Sequence, residues 1–267
     1  MARVRSDAAG RPLAGRHAVV TGGGRGIGAA VADALAGLGA TLTLMGRDAE
    51  TVARQAEALA AQYGGRVAAV RCDVADADDV EAAFQKARDR FGDAYALVNN
   101  AGQAASAAFG DTTREVWDRM LAVNLTGAFL CARAVLPAML AAGSGRVVNV
   151  ASTAALKGYP RTAAYAAAKA GVLGLTRALA AETAKHGVTV NAVCPGYTDT
   201  AMVQAAIDNL VAAGRSPAEA RRTLERLNPR GSLITTSEVA STVAWLCTAE
   251  ASAITGQAIA VAAGEVM

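Results

Sequence analysis

Short runs of β-branched and aliphatic residues recur along the chain, each followed by a longer stretch whose apolar positions fall three or four apart. The runs lie at 17–21, 41–46, 66–72, 95–99, 146–151, 188–194 and 257–261. The stretches at 28–38, 49–63, 76–91, 113–141, 163–185 and 237–249 have helical spacing and helix-favouring residues. Near-continuous apolar strands alternating with helices predict a parallel sheet covered by helices on both faces, because strands hidden on both sides have no polar face to maintain. No interdomain linker and no internal repeat breaks the pattern, so a single domain over 15–267 is expected, with 1–14 as a loosely held tail. Residues 200–235 interrupt the alternation with two short helical patches around Gly214-Arg215-Ser216-Pro217. Ligands of open α/β sheets sit at the carboxyl ends of the strands, which makes this insertion a candidate substrate lid. The alternative is a surface excursion that touches no ligand.

Composition narrows the classes. With 53% hydrophobic and 18% charged residues the chain can bury a sizeable core. The net charge is only +3 and no basic run is interleaved with aromatics, which argues against nucleic-acid binding. No apolar run of membrane-spanning length is expected, and Met1 to Gly15 lacks a signal-peptide core. Cys72, Cys131, Cys194 and Cys247 are widely spaced without a Cys-x-x-Cys pair, consistent with buried thiols in a cytoplasmic protein. His17 and His186 are the only histidines, so no metal site and no histidine triad is expected. Acid–base chemistry must therefore use other residues.

The first strand runs into Thr21-Gly22-Gly23-Gly24-Arg25-Gly26-Ile27-Gly28, which opens an alanine-rich helix. A strand, a glycine turn and a helix N-terminus form an anion site: the glycines allow close backbone approach, and free N–H groups with the helix dipole favour a pyrophosphate. Asp73-Val74 ends the third strand, where the carboxylate can accept from an adenine amino group or simply cap the next segment. Asn99-Asn100-Ala101-Gly102 ends the fourth strand, Asn124 sits inside the long helix, and Ser152 ends the fifth strand. Tyr165 and Lys169 are four apart on a helix and so share one face. A tyrosine of ordinary pKa about 10 is a poor acid–base group near neutrality, and a nearby lysine cation would lower that value.

Taken together and in order, these motifs resemble the short-chain dehydrogenase/reductase family over roughly residues 14–264. The match comprises Thr21-Gly22-x-x-x-Gly26-x-Gly28, Asn99-Asn100-Ala101-Gly102, Ser152 thirteen residues before Tyr165, Tyr165-x-x-x-Lys169, and Pro195-Gly196. The resemblance implies a Rossmann-like, doubly wound, seven-stranded sheet, assembled as homotetramers or homodimers through the helices at 113–141 and 163–185. It implies that Tyr165 exchanges a proton with the substrate oxygen and that Ser152 orients that oxygen. Lys169 would lower the tyrosine pKa and hold the nicotinamide ribose, and Asn124 would tether a water that relays protons to Lys169. The segment from Pro195 to Thr200 would hold the carboxamide, with Gly196, Thr198 and Thr200 nearest.

The second strand ends Met45-Gly46-Arg47, with Gly46 where NAD-preferring relatives place an acid. Arg47, assisted by Arg25, suits a 2′-phosphate, so NADP(H) is expected over NAD(H). The competing reading has Asp48 reach the ribose, although an aspartate there is more simply a helix N-cap. The pattern also resembles 3-oxoacyl thioester reductases and polyketide ketoreductases. Arg215, Arg221, Arg222, Arg226 and Arg230 in the insertion, with Lys157 and Arg161 nearer the site, are candidates for the phosphates of a coenzyme A or acyl-carrier thioester. The alternative is a solvated helix face. Phe109 and Tyr159 are candidate pocket residues, and Ala263 stands where many relatives have glycine. Two rival functions stay open at this point: an NAD-dependent dehydrogenase of hydroxy compounds, and a nucleotide-binding sensor without turnover.

Overall fold

The computed structural model describes residues 11–266. Seven strands, β1 (His17–Thr21), β2 (Thr41–Gly46), β3 (Val67–Arg71), β4 (Ala96–Asn99), β5 (Gly145–Val150), β6 (Val188–Pro195) and β7 (Ala258–Val261), form one sheet. Their order is β3-β2-β1-β4-β5-β6-β7 and every pairing is parallel. The helices are α1 (Gly26–Gly37), α2 (Ala49–Tyr63), α3 (Ala77–Phe91), α4 (Arg114–Leu121), α5 (Gly127–Ala142), α6 (Ala163–Thr183), α7 (Ala201–Ala212), α8 (Pro217–Glu225) and α9 (Thr236–Leu246). The order in which strands are added to the sheet reverses between β1 and β4, and this switch point opens a crevice above the carboxyl ends of both strands.

Successive residues of a strand face opposite sides of the sheet, and the core divides accordingly. Val20, Val98 and Val148 pack with α1, α2 and α9, through residues such as Leu35, Leu59 and Val243. Their neighbours Val19, Leu97 and Val147 pack with α3 and α5 on the other face, through Phe84, Cys131 and Met139. Because β1, β2, β4, β5 and β6 are buried on both sides, no alternation survived in their sequences. His17 belongs to this interior: its ring nitrogens pair with Gly92 O and Thr43 Oγ1, both at 2.9 Å, and burial lowers its pKa. Burial also raises the thiol pKa of all four cysteines, Cys194 to about 11 and Cys72 and Cys247 to about 12.

Three expectations need correction. The loose tail over 1–14 is too long, since Leu13 is buried and its amide donates to Leu38 O at 3.0 Å; residues 1–10 lie outside the described residues. The helix expected over 113–141 is broken, because α4 and α5 are joined by a π-helical turn, Ala122–Thr126. The same stretch, Arg114–Ala142, is long and apolar enough by composition to cross a membrane, with mean hydropathy 1.7 in its most apolar window. Its apolarity has another cause: Cys131, Val135 and Met139 fill the core beneath the sheet.

The insertion at 200–235 folds as α7 and α8 around a small core of its own, comprising Val203, Ile207, Ala220, Leu224 and Leu233. Ser216 and Glu219 form a capping box at the start of α8, with Pro217 at its first turn. Thr200 precedes α7 and lies across the crevice from the glycine turn: a Cβ added to Gly26 would stand 3.5 Å from Thr200 Cγ2.

Candidate active site

The turn after β1 is shaped by absent side chains. Gly22 and Gly26 adopt positive φ, 63° and 55°. A Cβ on Gly28 would stand 2.1 Å from Gly22 O and 2.4 Å from Asn100 Nδ2, and one on Gly24 would stand 2.9 Å from Thr51 Cγ2. No other residue fits at Gly28. The turn leads into the N-terminus of α1, capped by exposed Arg25 without a side-chain bond, while Ile27 packs inward on the core. A close-approach cradle with free amides fits the pyrophosphate of a dinucleotide.

Thr21 and Asn100 hold that cradle in place. Thr21 Oγ1 accepts from the amides of Asn100 at 3.0 Å and Ala101 at 3.1 Å, and Asn100 Nδ2 donates to Thr21 O and Gly22 O. Asn100 thus supports the glycine turn across the switch point, a role its sequence position did not reveal. Asn99 turns the other way. Its Nδ2 donates to Ala128 O and to Asn149 Oδ1, and Asn149 continues to Thr176 on α6. Its Nδ2 therefore ties strands to helices.

At the rim, Asp48 is committed to α2: Oδ1 accepts from the Thr51 amide at 3.1 Å and Oδ2 from Thr51 Oγ1 at 2.8 Å. Both bonds hold its carboxyl below the usual range. Arg47, which precedes Asp48 in the chain, and Arg25 of the glycine turn are both exposed. Asp73 Oδ1 accepts from the Ala75 amide, forming a local turn, and buried Val74 packs against Gly127. On the far wall Thr198 Oγ1 donates to Gly196 O and Thr200 Oγ1 to Thr198 O, so the Pro195–Thr200 segment is self-braced.

The four candidate catalytic residues do converge. Gly102 lies between two of them, since a Cβ there would be 2.8 Å from Asn124 Oδ1 and 3.5 Å from Lys169 Nζ. Asn124 is buried in the π-helical turn, and its amide exchanges bonds with the Gln103 backbone at 2.9 and 3.2 Å. The wide turn explains how a mid-helix asparagine reaches an active site. Lys169 is buried, donates to Val150 O at 2.8 Å, and lies 5.9 Å from the Tyr165 ring centre. An enclosed cavity of about 10 Å³ lies among Thr21, Asn99, Asn124 and Lys169, and Asn99 Oδ1 is buried there without a partner.

The expected lowering of the tyrosine pKa is not found. Enclosure raises the Tyr165 pKa above its ordinary value; Ser152 pulls it back by hydrogen bonding and Tyr197 pushes it up. Burial lowers Lys169 to about 8. Lys169 thus keeps its charge at neutral pH and loses it as pH rises through about 8. Lys169 also yields a stability prediction. Between its folded value of about 8 and its ordinary 10.5, the unfolded chain holds a proton on this lysine that the folded chain lacks, so the lysine's own contribution to stability rises with pH across that window. The four buried thiols act in the opposite sense there, because they ionise first in the unfolded chain. Urea unfolding at pH 7 and pH 9.5 is therefore expected to show the stability difference between the wild type and Lys169→Met moving in favour of the wild type at the higher pH.

Other candidates serve different ends. Lys157 is paired with Glu265 at 3.2 Å, Arg221 with Glu225 and Asp199, and Arg230 with Glu238, so their charges are already neutralised. Arg215 donates to Thr223 Oγ1. Arg222 and Arg226 remain exposed on and after α8. Phe109 is 81% exposed and Tyr159 is held by Glu265, so neither is ordinary core packing. Among the described residues no group of three or more His, Cys, Asp or Glu is placed to hold a metal.

The short chain dehydrogenase family matches residues 16–211. A 3-oxoacyl-(acyl-carrier-protein) reductase of Synechocystis is 39% identical over 256 residues, 96% of this chain and 98% of its own. The 2-(S)-hydroxypropyl-CoM dehydrogenase 3 of Xanthobacter autotrophicus is 41% identical over 247 residues, 92% of this chain and 94% of its own. Among solved structures, a variant of actinorhodin polyketide ketoreductase with NADPH superposes with a TM-score of 0.89 at 36% identity, covering 94% of this chain and 97% of that one. With most of its length inside the family match and nearly all of it aligned to each relative, this protein belongs to the short-chain dehydrogenase/reductase family and is an oxidoreductase.

Proposed function

We propose that the protein is an NADP(H)-dependent reductase of ketones, with a 3-oxoacyl thioester as its leading substrate. The observation that carries the cofactor reading is the rim of the crevice. Gly46 offers no carboxylate there, both Asp48 oxygens are used by Thr51, and Arg47, next to Asp48 in the chain, and Arg25 of the glycine turn are both exposed. A guanidinium binds a phosphate as a fork, whereas a free carboxylate would repel it. The NADPH of the actinorhodin ketoreductase structure supports the same reading.

The residues would divide the work as follows. The glycine cradle holds the pyrophosphate, Arg25 and Arg47 the 2′-phosphate, Asp73 the adenine edge, Lys169 the ribose, and Gly196 to Thr200 the carboxamide. When bound, the nicotinamide supplies the hydride. Ser152 donates to the carbonyl oxygen and orients it. Tyr165, kept protonated by its raised pKa, is the acid that delivers a proton to the same oxygen. The polar cavity beside Lys169 and Asn124 has about the volume one water needs, which supports proton resupply through that side. The thioester reading rests on the 3-oxoacyl reductase relative and on Arg222 and Arg226, the charges that the lid leaves exposed. Exposed Phe129 on α5 supports assembly as a homotetramer or homodimer through that face, and the buried thiols suit a cytoplasmic setting.

Steady-state rates with acetoacetyl-CoA test the reading. NADPH is expected to support turnover far better than NADH. Arg47→Ala is expected to raise the KM for NADPH by about 10- to 100-fold, the loss of a charge-assisted bond, and to leave that for NADH unchanged. Equal use of both cofactors by the wild type would overturn the NADP(H) assignment. A neutral ketone reduced as well as the thioester would overturn the substrate class.

A further inference from the structure

Beyond β7 the chain doubles back toward the loop that joins Ser152 to Tyr165. Ala263 and Gly264 both adopt positive φ, 49° and 85°. Alanine rarely takes this conformation, so the surrounding contacts must enforce it. The turn inserts Glu265, whose side chain is only 1% exposed. Glu265 Oε1 accepts from Tyr159 Oη and lies 3.2 Å from Lys157 Nζ, and its main-chain oxygen also accepts from Lys157. The other carboxylate oxygen, Oε2, is buried without a partner against Gly196, where a Cβ would stand 2.7 Å from it.

Tyr159 passes the connection on. Its hydroxyl lies 2.8 Å from Thr153 Oγ1, and its ring meets Tyr197 edge-on with centres 6.0 Å apart. Thr153 is buried and adjoins Ser152, whose Oγ accepts from the Ala154 amide at 3.1 Å. Contacts therefore run unbroken from Glu265 through Tyr159 and Thr153 to the residue beside Ser152. A buried carboxylate with one unmet oxygen is costly, and a left-handed alanine adds strain. Both unfavourable features converge on one loop of the active site.

We propose that Glu265 is a positioning residue for the reaction: with Tyr159 it clamps the 152–159 loop so that the Ser152 hydroxyl faces the substrate carbonyl. This rests on the reading of Ser152 as the carbonyl-orienting group. Displacement by a fraction of an ångström at such a group costs rate more than binding.

Two measurements test the clamp. The first is amide hydrogen exchange on the whole protein. The amides of Ala155, Leu156 and Lys157 bond back to Ser152 O and Thr153 O. In Glu265→Ala and in Tyr159→Phe their exchange is expected to quicken at least about tenfold, while β1 and β4 keep wild-type protection. Unchanged exchange in that turn would overturn the proposal. The second is a double-mutant cycle with acetoacetyl-CoA and NADPH. Glu265→Ala is expected to lower kcat about tenfold in the wild type and hardly at all in a Ser152→Ala background, with the Kd for NADPH unchanged in both. Equal losses in the two backgrounds would overturn the clamp alone. Full activity of Ser152→Ala would overturn the reading of Ser152 as well.

Discussion

Tyr165→Phe is expected to lower kcat by about 10²- to 10⁴-fold, the range for losing a positioned general acid. The ring is retained, so its packing above Lys169 survives, and NADPH affinity measured by fluorescence titration is expected to stay at the wild-type value. The two readouts together separate chemistry from binding. A pH profile adds a sharper check. The Tyr165 acid form persists beyond its ordinary range because its pKa is raised, whereas Lys169 loses its charge as pH rises through about 8. The profile of kcat/KM for reduction reports groups of the free enzyme. It is therefore expected to turn down near pH 8, and to lack that limb in Lys169→Met. A limb that begins only above pH 10 would assign it to the tyrosine instead.

Gly28→Ala is expected to abolish dinucleotide binding. The added methyl carbon would stand 2.1 Å from Gly22 O and 2.4 Å from Asn100 Nδ2. The first atom belongs to the main chain of the cradle itself, so relief requires the turn to open. Forced repacking of this kind costs about 1–3 kcal/mol, and the distorted turn loses the spacing of its amides. Isothermal titration is expected to show NADPH binding weakened beyond 100-fold, roughly the 2.8 kcal/mol implied by two factors of ten, with a lower melting temperature. Gly23→Ala is a milder control, because its nearest contacts are at 3.0 and 3.2 Å. Tight NADPH binding by Gly28→Ala would remove the cradle from the pyrophosphate site.

The strands, the order of helices and the four converging residues were legible because each depends on local pattern: apolar runs, a glycine turn, an i,i+4 pair. The roles of Asn100 and Glu265 depended on something else. Asn100 acts on a turn 78 residues earlier in the chain, and Glu265 reaches Tyr159 across 106; no periodicity encodes such contacts. Asp48 is the opposite case, since a carboxylate before a helix is a local signal and its capping bond appeared where the pattern put it. Charge was the least legible property. The insertion at 200–235 and the loop before Tyr165 looked basic, yet Lys157, Arg221 and Arg230 each found a carboxylate. The direction of the tyrosine pKa has a related cause, because the burial that raises it depends on the whole fold and not on the spacing to lysine.

The π-helical turn at Ala122–Thr126 carries an extra residue relative to the helix it interrupts. Each residue of an α-helix advances the face by about 100°. The turn therefore acts as a phase shifter between α4 and α5: it fixes which side of α4 looks outward once α5 is seated on the sheet. Deleting Val123 would let one straight helix form, but it would rotate α4 by about that angle and carry Met120, now buried, off its inward face. A single inserted codon at this place thus sets two things together, the reach of Asn124 and the orientation of a whole helix.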